Sequence, residues 1–168
     1  VEITDKTGAN PKTTFEAAFP VGCTNWKICG KPTWTKDGRG AQTDFIYDTT
    51  HGGVTSVTYP ATTLPAGGTA RAKTTYVYSS LTTWTAGAPA WRLTSVTQCA
   101  TAQTCAGAAD EAVSVIAYGA NDRLPSSVTS KSGNNAVSVT TSIIYDHQRL
   151  VRDVDGPLSG TVDASRVI

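Results

Sequence analysis

The sequence predicts an all-β chain of stacked antiparallel β-hairpins forming a twisted, curved sheet, and three observations carry that reading. Residues alternate between two faces with period two, most cleanly over 135–146, where Val137, Val139, Thr141, Ile143 and Tyr145 face one way and Ser138, Thr140, Ser142 and Ile144 the other. A tyrosine closes four such runs, at Tyr47, Tyr78, Tyr118 and Tyr145, recurring roughly every 30 residues, within the interval that marks repeat architectures. Helix signals are nearly absent, and only 108–112 could form a helical turn.

The clearest unit is 43–60, TDFIYDTTHGGVTSVTYP. Phe45 and Tyr47 share a face before the turn, and Thr55, Val57 and Tyr59 share one after it. Asp48 can accept hydrogen bonds from backbone donors in the turn, while Gly52 or Gly53 can supply the positive φ it needs. A second copy runs through Tyr76, Tyr78 and Ser79, then a longer connection, then Trp91 to Thr97. The third has Val115 to Gly119, a turn over 121–124, and a strand through Val128. The fourth has Ile143 to Asp146, a turn, and a strand through Val154. A degraded front copy would place Phe19 in the tyrosine position and Trp34-Thr35 in the second strand.

Tyr-Asp, a turn with glycine and then Leu-Thr-Ser-Val-Thr with a following proline resembles the YD repeat of the bacterial RHS (rearrangement hotspot) family, related to animal teneurins and to toxin-complex shells. The resemblance covers the chain from about Phe15 onward, and its motif residues are Tyr47, Asp48, Tyr78, Tyr118, Tyr145 and Asp146. Ser79 and Gly119 replace the aspartate in the second and third copies, and Arg149 stands where the fourth would have its turn glycine; the strand pattern is untouched by these departures. The resemblance implies a segment of a hollow RHS-type shell that holds a separate C-terminal toxin or effector. It also implies, as the alternative, a carbohydrate- or surface-binding module. The acidic, proline-rich self-cleavage signature that ends such shells is not visible here.

The organisation follows. Residues 1–18 read as the end of a preceding repeat or connection, 19–42 as a degenerate first repeat with the Cys23/Cys29 loop, and 43–168 as an array of about four units. With no methionine, and with an end that looks like a strand leading into another Tyr-Asp, the sequence is expected to be a piece of a longer array. Within it, 31–35 should begin a partner strand, 37–40 should turn, 61–68 should be an irregular connection, and 132–135 has hairpin-turn chemistry.

Leu, Ile, Val and Phe make up roughly 18 per cent, a level at which disorder competes only when net charge is high. The net charge is +1, and the Thr, Val, Ser and Tyr content suits a pleated surface. A near-neutral chain without a Lys/Arg run argues against a nucleic-acid partner. No apolar stretch is long enough for a membrane helix, so no membrane insertion is expected.

Cys23 and Cys29, like Cys99 and Cys105, enclose five residues in loop-forming sequence. Two matched pairs suggest two local disulfides in an oxidising compartment, each contributing about 2 to 3 kcal/mol in the loop-entropy model. A four-thiolate zinc site needs ligands two to four residues apart and fits poorly; free thiols are the third reading. The compartment implied is secreted or bacterial cell surface.

Little in the chain points to chemistry. His51 and His147 each follow a Tyr-Asp and read as turn residues. Asp110 with Glu111, and Asp153 with Asp155, lie beside turns where acids are ordinary. Asp153 to Gly156 opens like a calcium loop but lacks the remaining ligands and the closing glutamate. No serine sits in a nucleophile elbow, and no glycine loop cradles phosphate. The expectation is a non-enzymatic chain with no cofactor and no metal. Its partners would be neighbouring repeats of the parent protein, an encapsulated toxin domain, or a glycan, with self-association through open strand edges. Tyr76, Trp84 and Trp91 are the candidate ligand aromatics, and Trp26 reads as a lid over the sheet.

Overall fold

In the structure, a computed structural model, residues 2–5, 12–64, 67–81, 89–99, 105–120 and 123–156 are described. They form eleven strands and no helix: β1 (Glu2–Asp5), β2 (Lys12–Ala18), β3 (Trp34–Asp37), β4 (Gln42–Tyr47), β5 (Val54–Thr63), β6 (Thr69–Leu81), β7 (Ala90–Cys99), β8 (Glu111–Tyr118), β9 (Pro125–Ser132), β10 (Ser138–Tyr145) and β11 (Val151–Asp155). All belong to one open sheet whose spatial order is the sequence order. The stacked-hairpin architecture is therefore present. Both cysteine pairs are disulfides, Cys23–Cys29 and Cys99–Cys105, with Cα separations of 5.4 and 5.5 Å.

The chain divides into two compact units, 1–76 with 98–105, and 77–97 with 106–168. In the first, β1 and β2 pair antiparallel within the stretch read from sequence as the end of a preceding repeat or connection. Isolated β-branched threonines among polar residues gave too short an alternation to be legible there. The β2–β3 pair aligns Ala17 with Thr35, β3–β4 aligns Thr35 with Thr43, and β4–β5–β6 aligns Phe45, Val57 and Thr74. Period two puts these residues and Tyr47 on one face, which holds the unit's core: Ala17, Val57 and Thr74 are buried, and the Tyr47 ring stacks on Phe45 with centroids 6.4 Å apart.

Two further boundaries move. β3 begins at Trp34, after Thr33 has donated its amide to Ala18 O at 2.8 Å. β5 continues through Pro60 to Thr63, so the first three residues of the expected connection 61–68 are strand. Proline lacks the ladder donor, and the register with β6 breaks between Thr58 and Ala61, around Pro60. The turn at 37–40 forms as expected, closed by Gly40 N to Asp37 O at 2.9 Å.

In the second unit, β8–β9–β10 align Ile116, Val128 and Thr141 on one face and Val115, Thr129 and Thr140 on the other. The hydroxyls of Thr129 and Thr140 meet across strands at 2.8 Å. The 132–135 turn closes β9 onto β10, with Ser132 N donating to Val137 O at 3.0 Å. The long alternating run is strand only from Ser138, and Val137 and Val139 stay 62% and 42% exposed. Burial on that face is confined to its tyrosine end.

Trp26 is 83% exposed, which corrects its reading as a lid. Its ring lies 5.9 Å from Lys27 Nζ instead of over the sheet, because the loop turns on Asn25, whose carbonyl accepts from the amides of Ile28 and Cys29. Among the described residues the buried apolar side chains are Ala17, Val57, Cys99 and Cys105, all in the first unit. A single layer with so little buried surface must rely more on its ladders, turns and cross-links than on a core.

Candidate functional site

The recurrent feature is built where three of the strands enter their turns; Tyr78, expected to close the second run, instead lies inside β6, which continues to Leu81. Tyr47, Tyr118 and Tyr145 are each the last residue of their strand, and each follows a register shift against the partner strand: between Ile46 and Tyr47, Ala117 and Tyr118, Ile144 and Tyr145. Such a bulge increases local twist and re-aims a side chain. Here the phenol reaches back to the hairpin before its own. Tyr47 donates to Pro32 O at 3.0 Å, Tyr118 to Leu93 O at 2.8 Å and Tyr145 to Pro125 O at 3.0 Å. Each tyrosine thus ties one hairpin to the preceding one. Burial raises the Tyr47 and Tyr78 phenols above their ordinary range, which keeps both protonated.

Replacing Tyr47, Tyr118 or Tyr145 singly by phenylalanine should cost about 1 kcal/mol each, the usual net value of one hydrogen bond. The urea midpoint should fall with an unchanged m value; a midpoint that does not move in any of the three would remove the tie.

The turns that follow share a backbone pattern. Asp48 N donates to Gly53 O, Gly119 N to Leu124 O and Asp146 N to Leu150 O, each at 2.9 Å. Near the end of each turn one residue is left-handed: Gly52 at φ 77, Arg123 at 57 and Arg149 at 65. Arg149 therefore does occupy the turn-glycine place, and Arg123 does so in the third copy, which the sequence reading missed. The aspartate adds to this scaffold. Asp48 Oδ1 accepts from the amides of Thr50 (2.6 Å) and His51 (3.0 Å), and Asp146 Oδ1 from those of Gln148 (2.8 Å) and Leu150 (2.9 Å). Gly119 keeps the backbone turn without a carboxylate, so the tyrosine position tolerates loss of its aspartate.

The first turn is also covered from outside. Asn25 Nδ2 donates to Thr49 O at 2.8 Å, Lys27 Nζ to Thr50 O and Lys31 Nζ to Gly52 O. Lys31 Nζ also lies 5.3 Å from the Tyr47 ring centre. These three donors, two from the loop closed by Cys23–Cys29 and one from just after it, were not legible as a group. The nearest signal was a disulfide-sized loop holding one lysine and no acid, with a second lysine two residues beyond it.

The remaining candidates sit in structural roles. His51 accepts from Gly53 N through Nδ1 at 3.0 Å, and its Nε2 lies 3.6 Å from Asp48 Oδ1; His147 is exposed in its own turn. Glu111 Oε2 accepts from Gly107 N at 2.6 Å, and Asp110 lies in the turn before β8. Asp153 is buried in β11 opposite Ile144 and pairs with Arg152 at 2.6 Å, while Asp155 ends that strand, so the Asp-Val-Asp-Gly stretch is largely strand and not a calcium loop. Tyr76 in β6 and Trp91 in β7 are half-buried, and Trp84 lies outside the described residues. Among the described residues no three metal-ligating side chains converge.

Several carboxylates are held ionised. Backbone donors from His51 and Thr50, with the His51 ring nearby, keep Asp48 below the usual carboxylate range, and the amides of Ala41 and Arg39 do the same for Asp37. Burial pushes Asp44 up, but the Gln42 amide at 2.5 Å and the Arg71 guanidinium at 2.6 Å outweigh it and bring it down. A depressed folded-state value contributes stability that is complete above the unfolded value, about 4, and is lost as pH falls through the folded values. Thermal midpoints should therefore hold from pH 7 to about 4 and fall below that, and Asp48→Asn should shrink the acid-side drop. A midpoint equally high at pH 2 and pH 6 would contradict this.

The two disulfides are consistent with an oxidising or extracellular environment. No helix among the described residues is long and apolar enough to cross a membrane. No protein-family model matches the chain, and no curated protein matches it either.

Proposed function

We propose that the chain is a non-catalytic segment of a YD-repeat wall of the RHS type, whose hairpins enclose or present a separate C-terminal toxin or effector outside the cell or on the bacterial surface. The observation that supports this most is the repeated tie: three tyrosines at strand ends, each after a bulge, each bonding a carbonyl of the hairpin before it. A motif that fixes neighbour to neighbour suits a surface extended by repetition. The acids and His51 take part in turns and ion pairs, which is a structural use of groups that could otherwise react.

The test is the complete reading frame with protease mapping. The expected result is an unrelated domain after the repeats that resists protease in the whole protein and is cut rapidly when isolated. A downstream region cleaved equally fast in both forms, or none at all, would overturn the proposal.

Among the described residues β1 and β11 stand at the two ends of the strand order, so copies of the isolated chain can pair edge to edge unless the chain ends fold over those strands. Sedimentation velocity should show a concentration-dependent rise in mass. A monomer across a wide concentration range would contradict this.

The second reading, a glycan-binding module, has one observation in its favour. Trp26 is 83% exposed beside Lys27, a better stacking platform than half-buried Tyr76 or Trp91. Glycan-array signal lost in Trp26→Ala would promote this reading over the wall, and absence of any signal would remove it.

A further inference from the structure

We propose that the Cys23–Cys29 disulfide is a redox-operated clamp on the turn of the following hairpin: its reduction by a dithiol unfastens 48–53, while Cys99–Cys105 stays closed. The inference does not depend on whether the sheet encloses an effector.

The loop has its own small framework. Asn25 O accepts from the amides of Ile28 (3.0 Å) and Cys29 (3.1 Å), Asn25 Oδ1 accepts from Lys27 N at 3.1 Å, and Lys31 N donates to Ile28 O at 3.0 Å. From this framework Asn25, Lys27 and Lys31 reach carbonyls 21 to 24 residues away in the chain. Holding two lysine side chains and a loop in one arrangement loses conformational freedom, and the disulfide lowers the backbone share of that loss by restricting beforehand the ring that carries Asn25 and Lys27. Once the ring opens, the three donors must be ordered anew against water. The turn they leave is made of single hydrogen bonds: Asp48 N to Gly53 O, Gly52 N to Asp48 O, Thr50 and His51 N to the Asp48 carboxylate, and Gly53 N to His51 Nδ1.

Access distinguishes the two disulfides. Exchange requires a thiolate to approach a sulfur, and Cys99 and Cys105 are 6% and 7% exposed, whereas Cys23 and Cys29 are only half-buried. The chemistry balances with a dithiol as reductant. Its first thiolate displaces one cysteine as a thiolate and forms a mixed disulfide. Its second thiolate then displaces the other cysteine, closing the reductant's own disulfide. Two electrons and, after protonation, two protons pass to Cys23 and Cys29.

The test uses the whole chain with graded dithiothreitol, differential alkylation read by peptide mass spectrometry, and amide hydrogen exchange. Cys23 and Cys29 should label at a dithiol concentration that leaves Cys99 and Cys105 unlabelled. Under that condition, exchange over 48–53 should rise about tenfold or more, with the turn at 146–150 unchanged as an internal reference. With the disulfide intact, Asn25→Ala combined with Lys27→Met should raise exchange over the same turn. Labelling of Cys99 and Cys105 first or together with the other pair would overturn the proposal. So would unaltered exchange over 48–53 after selective reduction, or an equal rise over both turns, which would make the disulfide a support of the whole sheet.

Discussion

Gly52→Ala should destabilise the protein by about 2 to 4 kcal/mol, because two costs coincide at one position. Gly52 has φ 77, where a Cβ opposes the carbonyl by about 1 to 2 kcal/mol. An added Cβ would also stand 2.8 Å from the backbone carbonyl oxygen of Lys27 and 3.1 Å from its Cβ. That oxygen cannot swing aside as a side chain could, since the loop carrying it is fixed by Cys23–Cys29 and by hydrogen bonds to the turn. Gly40→Ala is the control. Its φ is 80 but nothing lies within 4 Å of the added carbon, so only the conformational cost of about 1 to 2 kcal/mol applies. Urea unfolding of both variants decides the matter, and equal losses would mean the loop does not press on the turn.

The second large effect is expected at Gly133, where φ gives no warning. A Cβ there would lie 2.6 Å from Glu111 Cβ and 2.8 Å from Ala108 O. Gly133 N donates to Glu111 O at 2.8 Å, and Glu111 Oε2 holds Gly107 N, so a shift that relieves the clash also loosens these bonds. Gly133→Ala should cost about 2 to 4 kcal/mol, combining overpacking with a lost hydrogen bond. Adding Glu111→Ala should rescue it only in part, because it removes the carboxylate oxygen nearest the new carbon but keeps the Glu111 Cβ and leaves Ala108 O in place. Gly30→Ala, with open space and no positive φ, should be neutral or slightly stabilising. A Gly133→Ala variant as stable as Gly30→Ala would contradict the close approach of β8 to the 133 turn.

Legibility in the sequence followed the range of each interaction. The hairpins at 43–60 and 111–132 could be read because alternation, turn residues and tyrosine all lie within one local run. Asp48 as a turn acceptor and a left-handed glycine at 52 or 53 were readable for the same reason, and the structure places it at Gly52. Arg149 was visible only by comparing copies, and Arg123 escaped because nothing in an arginine announces φ 57. β5 was cut short at Pro60, where local chemistry says stop. The strand nevertheless resumes in the pairing of Ala61, Thr62 and Thr63 with Arg71, Ala70 and Thr69. Trp26 was given a covering role from its size, yet whether a side chain meets another surface depends on where its loop turns.

Alternation and recurrence by themselves determined that the chain is a series of antiparallel hairpins with a tyrosine ending three of the strands, and the even cysteine spacing pointed to the two local disulfides. These are short-range properties, set by period-two geometry and loop closure. Only the tertiary structure decided what the tyrosines hold, which carbonyls the 23–31 loop covers, and why Gly52 and Gly133 have no room for a methyl group. Those contacts join residues about 15 to 25 positions apart, where the meeting depends on register, bulge and loop path together, and no local pattern records that combination.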